Sequence, residues 1–145
     1  MDRQKRGYAF EKILWNLARI SSLEVSELFK VQGGQVNGSV KFDGEHYLVE
    51  AKWQGKEDSN EPVYQFVGKI EGKLYGRGLF VSVHAFNRNV VGIIVHGKAL
   101  KTIFVDGEDI VLVLEGYLSF RDMIDAKVKA AQTKSNIYTH PINGA

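Results

Sequence analysis

Residues Gln35 to Trp53 read QVNGSVKFDGEHYLVEAKW, two runs rich in β-forming residues joined by Asp43-Gly44. An Asp-Gly pair between such runs favours a two-residue hairpin turn, because both central positions need a positive φ. With Asp43 and Gly44 as the loop, Phe42 faces Glu45, Val40 faces Tyr47, Gly38 faces Val49, Asn37 faces Glu50, Val36 faces Ala51 and Gln35 faces Lys52. Side chains alternate along a strand, so Val36, Val40, Phe42, Tyr47, Val49 and Ala51 share one face, the expected core side. The other face, expected to look to solvent, carries Gln35, Asn37, Ser39, Lys41, His46, Leu48, Glu50 and Lys52. Hairpin geometry thereby gathers an amide, a carboxylate and an ammonium.

Upstream of the hairpin, Phe10, Ile13, Leu14, Leu17 and Ala18 recur at helical steps and predict an amphipathic helix over Arg6 to Ile20. Val25 to Val31 fits either a short helical turn or a strand, ended by Gly33-Gly34. Downstream, Asn60-Glu61-Pro62 reads as a helix start. Val63, Phe66, Val67, Ile70 and Leu74 carry that helix to about Tyr75, with Gly76 and Gly78 closing it. Leu79 to Phe86 and Lys101 to Val105 read as strands, the second running into an Asp106-Gly107 turn, while Val90 to Val95 fits a strand or a buried helix. Asp109 to Leu114 is a short helix and Ser119 to Ala131 a longer one capped by Ser119; the tail after Lys134 has no pattern. The order predicts an α/β fold, a mixed sheet sandwiched by helices.

With 145 residues, 44% of them hydrophobic, the chain is expected to form a single domain over residues 1–145 with its own core. It has no cysteine, which excludes disulfide frameworks, thiolate zinc sites and cysteine nucleophiles and suits a reducing cytoplasm. Lys plus Arg is 19 against 17 Asp plus Glu, so the charge balance permits a polyanionic partner without requiring one. The longest apolar run, Val90 to Val95, falls far short of the roughly 20 residues that span a bilayer. Glu11 and Lys12 interrupt any signal-like stretch after Arg3, Lys5 and Arg6. The expectation is a soluble cytoplasmic protein with no membrane partner.

Glu50-Ala51-Lys52 puts an acid and a base two residues apart on one strand, both pointing the same way, with Asn37 across the ladder. Carboxylate and amide oxygens suit a hard cation such as Mg²⁺, and a neighbouring lysine can steady a phosphate oxygen or orient a water. An ExK triplet alone is most often a solvated strand face.

Three segments raise that reading. Arg6-Gly7-Tyr8-Ala9-Phe10-Glu11, Gly34-Gln35-Val36-Asn37-Gly38 and Tyr47-Leu48-Val49-Glu50-Ala51-Lys52-Trp53 together resemble the PD-(D/E)xK restriction endonuclease-like superfamily, most closely its Mrr-type branch. The resemblance extends more weakly through Gly78 to Ser82 and Asp106 to Gly116. It implies a Mg²⁺-dependent endonuclease acting on DNA, with Mn²⁺ able to substitute. By motif position it implies that Asn37 and Glu50 bind the metal together with the main chain at Ala51. Lys52 then serves the attacking water or the scissile phosphate, and Glu11 assists. One position departs from the pattern, since the family's usual aspartate is Asn37 here. A neutral amide in place of a charge implies weaker metal affinity and reduced or absent cleavage. An engineered substitution, a naturally degenerate nuclease, and compensation by another acid such as Glu11 all account for it equally well.

Lys69, Lys73 and Arg77 repeat every four residues and, with Lys56 and Gln54, form a candidate nucleic-acid-binding surface; a solvated face is the commoner explanation. Trp53 and Tyr64 are candidates for base stacking, with core packing the simpler role. His46, His84, His96 and His140 lack metal-ligand spacing. Two other readings stay open. One is a nuclease-fold module that holds nucleic acid or a partner protein without cutting. The other is a homodimer built through Val90 to Val95. No recognition domain is evident, so target specificity is expected from a separate domain or subunit.

Overall fold

The computed structural model describes residues 3–31, 34–52, 61–71, 76–83, 101–134 and 136–138. In chain order these form α1 (Arg3–Ile20), β1 (Glu24–Val31), β2 (Gly34–Phe42), β3 (Glu45–Lys52), α2 (Glu61–Glu71), β4 (Gly78–Ser82), β5 (Thr102–Val105), α3 (Gly107–Leu114) and α4 (Phe120–Lys134). The strands make one five-stranded sheet in the order β1-β2-β3-β4-β5. The first three pair antiparallel, and β3, β4 and β5 run parallel. This is the mixed α/β sandwich that the sequence predicts. Val90 to Val95, Trp53, His84, His96 and His140 lie outside the described residues, as do the stretches that would extend the second helix to Tyr75 and the Leu79 strand to Phe86.

The hairpin forms in the expected register. Asp43 and Gly44 take φ of 51° and 80°, the two positive values that a tight hairpin turn of this hand requires, and Phe42 pairs with Glu45, Val40 with Tyr47 and Gly38 with Val49. Val40, Phe42, Tyr47, Val49 and Ala51 are buried, as their alternation requires. Val25 to Val31 resolves as strand β1, because its pairing with β2 satisfies a backbone that an isolated helical turn would leave open.

Two cores result. On one face, Phe10, Leu14, Trp15 and Ala18 of α1 pack with Val49, Ala51, Leu79, Val81, Ile103 and Val105, joined by Ile110 of α3 and Phe120, Met123 and Ile124 of α4. Trp15 takes the place that the helical stripe gave to Ile13, which is 42% exposed. Gly38 explains the choice: a Cβ there would come within 2.5 Å of the Ser26 carbonyl oxygen and 2.9 Å of the Trp15 ring, so only glycine lets the indole lie on the strand. On the other face, Val63, Phe66, Val67 and Ile70 of α2 pack on Phe80 and Phe104, with Ile137 completing the cluster. The face expected to be open to solvent is therefore covered where it meets β4 and β5. Those two strands are buried at every residue, as parallel strands flanked by helices are.

Gly78 does not close a helix. It opens β4, and a Cβ on it would meet Ile70 at 2.7 Å and Phe66 at 2.9 Å, so its lack of a side chain is what seats α2 on the sheet. The Asp106-Gly107 turn is also a helix start: Asp106 accepts from the Asp109 N–H at 3.1 Å, Asp109 accepts from the Asp106 N–H at 3.0 Å, and α3 begins two residues before its predicted position. Ser119 caps α4 as predicted, accepting from the Asp122 N–H at 3.0 Å. The tail has structure after all. Ile137 is buried and its carbonyl accepts from the Phe104 N–H at 2.9 Å, which covers the free edge of β5.

Candidate active site on the face under helix α2

Glu50 and Lys52 sit two residues apart on β3, and alternation turns both toward the α2 side of the sheet. Lys52 pairs with Ser82 of β4, and Asp106 follows Val105, the partner of Val81. Lys52, Ser82 and Asp106 thus make a row across the carboxyl ends of three parallel strands, the edge where open α/β sheets place their ligand sites. Asp106 is already engaged: its carboxylate holds the α3 cap and accepts from the Tyr138 hydroxyl at 2.5 Å. It serves the fold, and Glu50 is the carboxylate of the row's neighbourhood that is left for chemistry.

Glu50 is half-buried, and burial pushes its carboxyl above the ordinary carboxylate range, against the lowering pull of the Lys52 and Lys69 ammoniums. No hydrogen bond to it exists among the described residues. A half-buried carboxylate with no donor among the described residues, under the charges of two lysines, is a costly arrangement for stability alone, and such perturbed groups concentrate at functional sites. Lys69 comes from α2, which the Phe66–Phe80 ring contact (centroids 5.6 Å apart) lays over the strand next to β3. The sequence assigned Lys69 to a DNA-facing helix side; its charge bears directly on Glu50.

The structure treats the other candidates differently. Asn37 belongs to β2 and is the next residue beyond the Gly38–Val49 pair, with its side chain outside the described set. Glu11 is half-buried on α1, in the layer on the opposite side of the sheet, and is not among the charges that set the titration of Glu50. Lys73, Lys56 and Gln54 lie outside the described residues. Arg77 itself is not helical; it lies immediately before β4 and binds Glu45 at 3.2 Å. Tyr64 is exposed rather than packed in the core, and His46 is exposed. Sequence reasoning did not single out Ser82, which stood in the middle of the predicted Leu79 to Phe86 strand and is the last residue of β4, buried beside Lys52.

Among the described side chains of this face, the Glu50 carboxylate is an oxygen donor of the kind that hard cations take. Among the described residues no group of three or more His, Cys, Asp or Glu side chains is placed to hold a metal. Among them, too, no helix is long and apolar enough to cross a membrane.

A mixed sheet with an acid and a lysine at the carboxyl end of its third strand defines a restriction endonuclease-like fold. Residues 3–114 match the family of restriction endonucleases represented by the Mrr catalytic domain, and the chain belongs to that family. Among solved structures, the MspJI restriction endonuclease in complex with a 27-mer oligonucleotide is similar, with a TM-score of 0.50 and 19% identity over 94% of this chain. The chain corresponds to only 35% of that protein's length. No curated protein matches.

Proposed function

We propose that the chain is a Mg²⁺-dependent endonuclease domain of the cytoplasm that hydrolyses DNA phosphodiester bonds, weakened by Asn37. What supports the reading most is Glu50, a half-buried carboxylate with no hydrogen-bond donor among the described residues, under the charges of Lys52 and Lys69, in a chain of the restriction endonuclease family. Glu50, Asn37 and the Ala51 carbonyl would hold the ion, with Mn²⁺ able to replace it. When bound, such an ion polarises a phosphoryl oxygen and lowers the pKa of a coordinated water. Lys52 steadies a scissile phosphate oxygen or orients the water for in-line attack. Lys69 adds a second positive charge to the phosphate's surroundings; Glu11, on α1 across the sheet, takes no part in this reading. Lys56, Lys73 and Gln54 contact the DNA backbone, while Arg77, turned to the other face, does not. Two-strand cleavage calls for two copies of the domain, and target choice for a recognition domain or subunit.

The test is plasmid nicking with Mg²⁺ and with Mn²⁺. Weak metal-dependent nicking that Lys52→Ala abolishes supports the reading. Nicking that survives Lys52→Ala, or persists in excess chelator, overturns it.

A second reading is favoured by one observation, the charge balance at the site: Glu50 is bracketed by two ammoniums, and an amide stands where the family places an acid. Such a site attracts phosphate without a metal, as a nuclease-fold module that binds nucleic acid without cutting it would. DNA binding that is indifferent to metal, together with complete absence of cleavage, selects that reading.

A further inference from the structure

A second polar row crosses the sheet at the opposite end and on the opposite face. Leu48, Gly78 and Thr102 are paired across β3, β4 and β5, so the residues one step earlier, Tyr47, Arg77 and Lys101, lie side by side about 5 Å apart. Alternation turns them toward α4, away from the α2 face that carries Glu50. Together with Ile103, Val128 and Gln132 they line a cavity of about 120 Å³.

The lining has a definite chemistry. Tyr47 is 5% exposed, and neither its phenol nor the Lys101 ammonium has a hydrogen-bond or ion-pair partner among the described residues. Arg77 is anchored through Nε to Glu45 at 3.2 Å and through Nη1 to the Gly76 carbonyl at 3.3 Å, which fixes the guanidinium and leaves further N–H groups for a ligand. Gln132 adds an amide, and Ile103 and Val128 supply an apolar wall. Two cations, a phenol and an amide converging on a space this small suit one multiply charged anionic group, with its carbon end against the wall.

We propose that this cavity binds a phosphate monoester. The chemistry is shared by a free mononucleotide and by the 5′-phosphorylated end of a DNA strand. It is separate from the Glu50 site and does not depend on the nuclease reading.

The test is calorimetric titration of the full chain with adenosine 5′-monophosphate, with adenosine, and with a short oligonucleotide carrying either a 5′-phosphate or a 5′-hydroxyl. Binding of the monophosphate but not of adenosine is expected. It should weaken by about tenfold in Tyr47→Phe and in Lys101→Gln, which remove donors without removing the core, and stay unchanged in Lys12→Ala, at an exposed lysine of α1. Preference for the 5′-phosphorylated oligonucleotide identifies a strand end as the source, and equal oligonucleotide affinities with tight monophosphate binding identify the free nucleotide. Binding of adenosine as tight as that of its monophosphate, the same affinity in both cavity variants, or no binding of any phosphate overturns the proposal.

Discussion

Lys127 of α4 and Asp109 of α3 form an ion pair of 2.8 Å with both side chains sealed from solvent, 1% and 0% exposed. Burial works against both charges, raising Asp109 and lowering Lys127, and each charge counters that effect on the other. Lys127 also donates to the Phe104 carbonyl at 2.8 Å, so the pair ties two helices to β5, the strand that leads into Asp106. Lys127→Met would leave a buried carboxylate unpaired and should cost about 3–5 kcal/mol, whereas the Asp109→Asn/Lys127→Met double variant should recover a large part of that loss. Urea unfolding of the three proteins measures both. Equal stability of the single and double variants would show that the pair is not coupled.

Glu50 should trade stability for function. Its carboxyl titrates higher in the fold than in the unfolded chain, so the folded state holds the proton more tightly. The corresponding stability is fully present below the unfolded pKa and is lost as pH rises through the folded one. Glu50→Gln, which mimics the protonated form, should therefore melt higher than the parent at neutral pH, and the gap should close in acid. A Glu50→Gln protein that melts lower at neutral pH would mean that the carboxylate has stabilising partners.

Lys69 and Lys52 hold the Glu50 carboxyl down against burial. Replacing Lys69 by alanine should raise it further, which a carboxyl-detected NMR titration of Glu50 reads without any need for activity. If the variant cuts DNA, the acid limb of its rate profile should move up in step. An unmoved titration would place the Lys69 ammonium too far away to matter.

Gly38 and Gly78 are close-approach glycines. A Cβ added to Gly38 would lie 2.5 Å from the backbone oxygen of Ser26, and one added to Gly78 would lie 2.7 Å from the Ile70 side chain. The Ser26 oxygen is held in the β1–β2 ladder and cannot step aside, whereas a side chain can give a little. Alanine at either position should cost about 1–3 kcal/mol, with Gly38→Ala the worse. Thermal melts of both variants decide the order.

Much of this molecule was legible in its sequence, for a local reason. Asp43-Gly44 sets a two-residue turn, and the turn sets the register of every pair down to Gly38–Val49, so the shared face of Glu50 and Lys52 follows from adjacent residues alone. The four-residue spacing from Lys69 to Arg77 misled, because periodicity does not show that Arg77 lies at the entry to β4 and pairs with Glu45. Gly78 looked like a helix terminator because a tertiary contact with Ile70 and Phe66, invisible in one dimension, is what requires it. The burial of Lys127 was equally hidden: its partner Asp109 lies on a different helix, and a lysine on a helix ordinarily marks the solvent side. The half-burial of Glu50 depended on where α2 packs, which no strand pattern reveals.

Glu50 and Lys52, on the function proposed above, form a phosphodiester-cleaving site missing one charge at position 37. Plasmid nicking in Mn²⁺ by Asn37→Asp, alone and combined with Glu50→Gln or Lys52→Ala, tests this most directly. Asn37→Asp is expected to nick at least about tenfold faster than the parent chain, and either second substitution to return it to background. An Asn37→Asp protein that stays inert on double- and single-stranded DNA with both metals, or whose gain survives Lys52→Ala, would contradict that assignment.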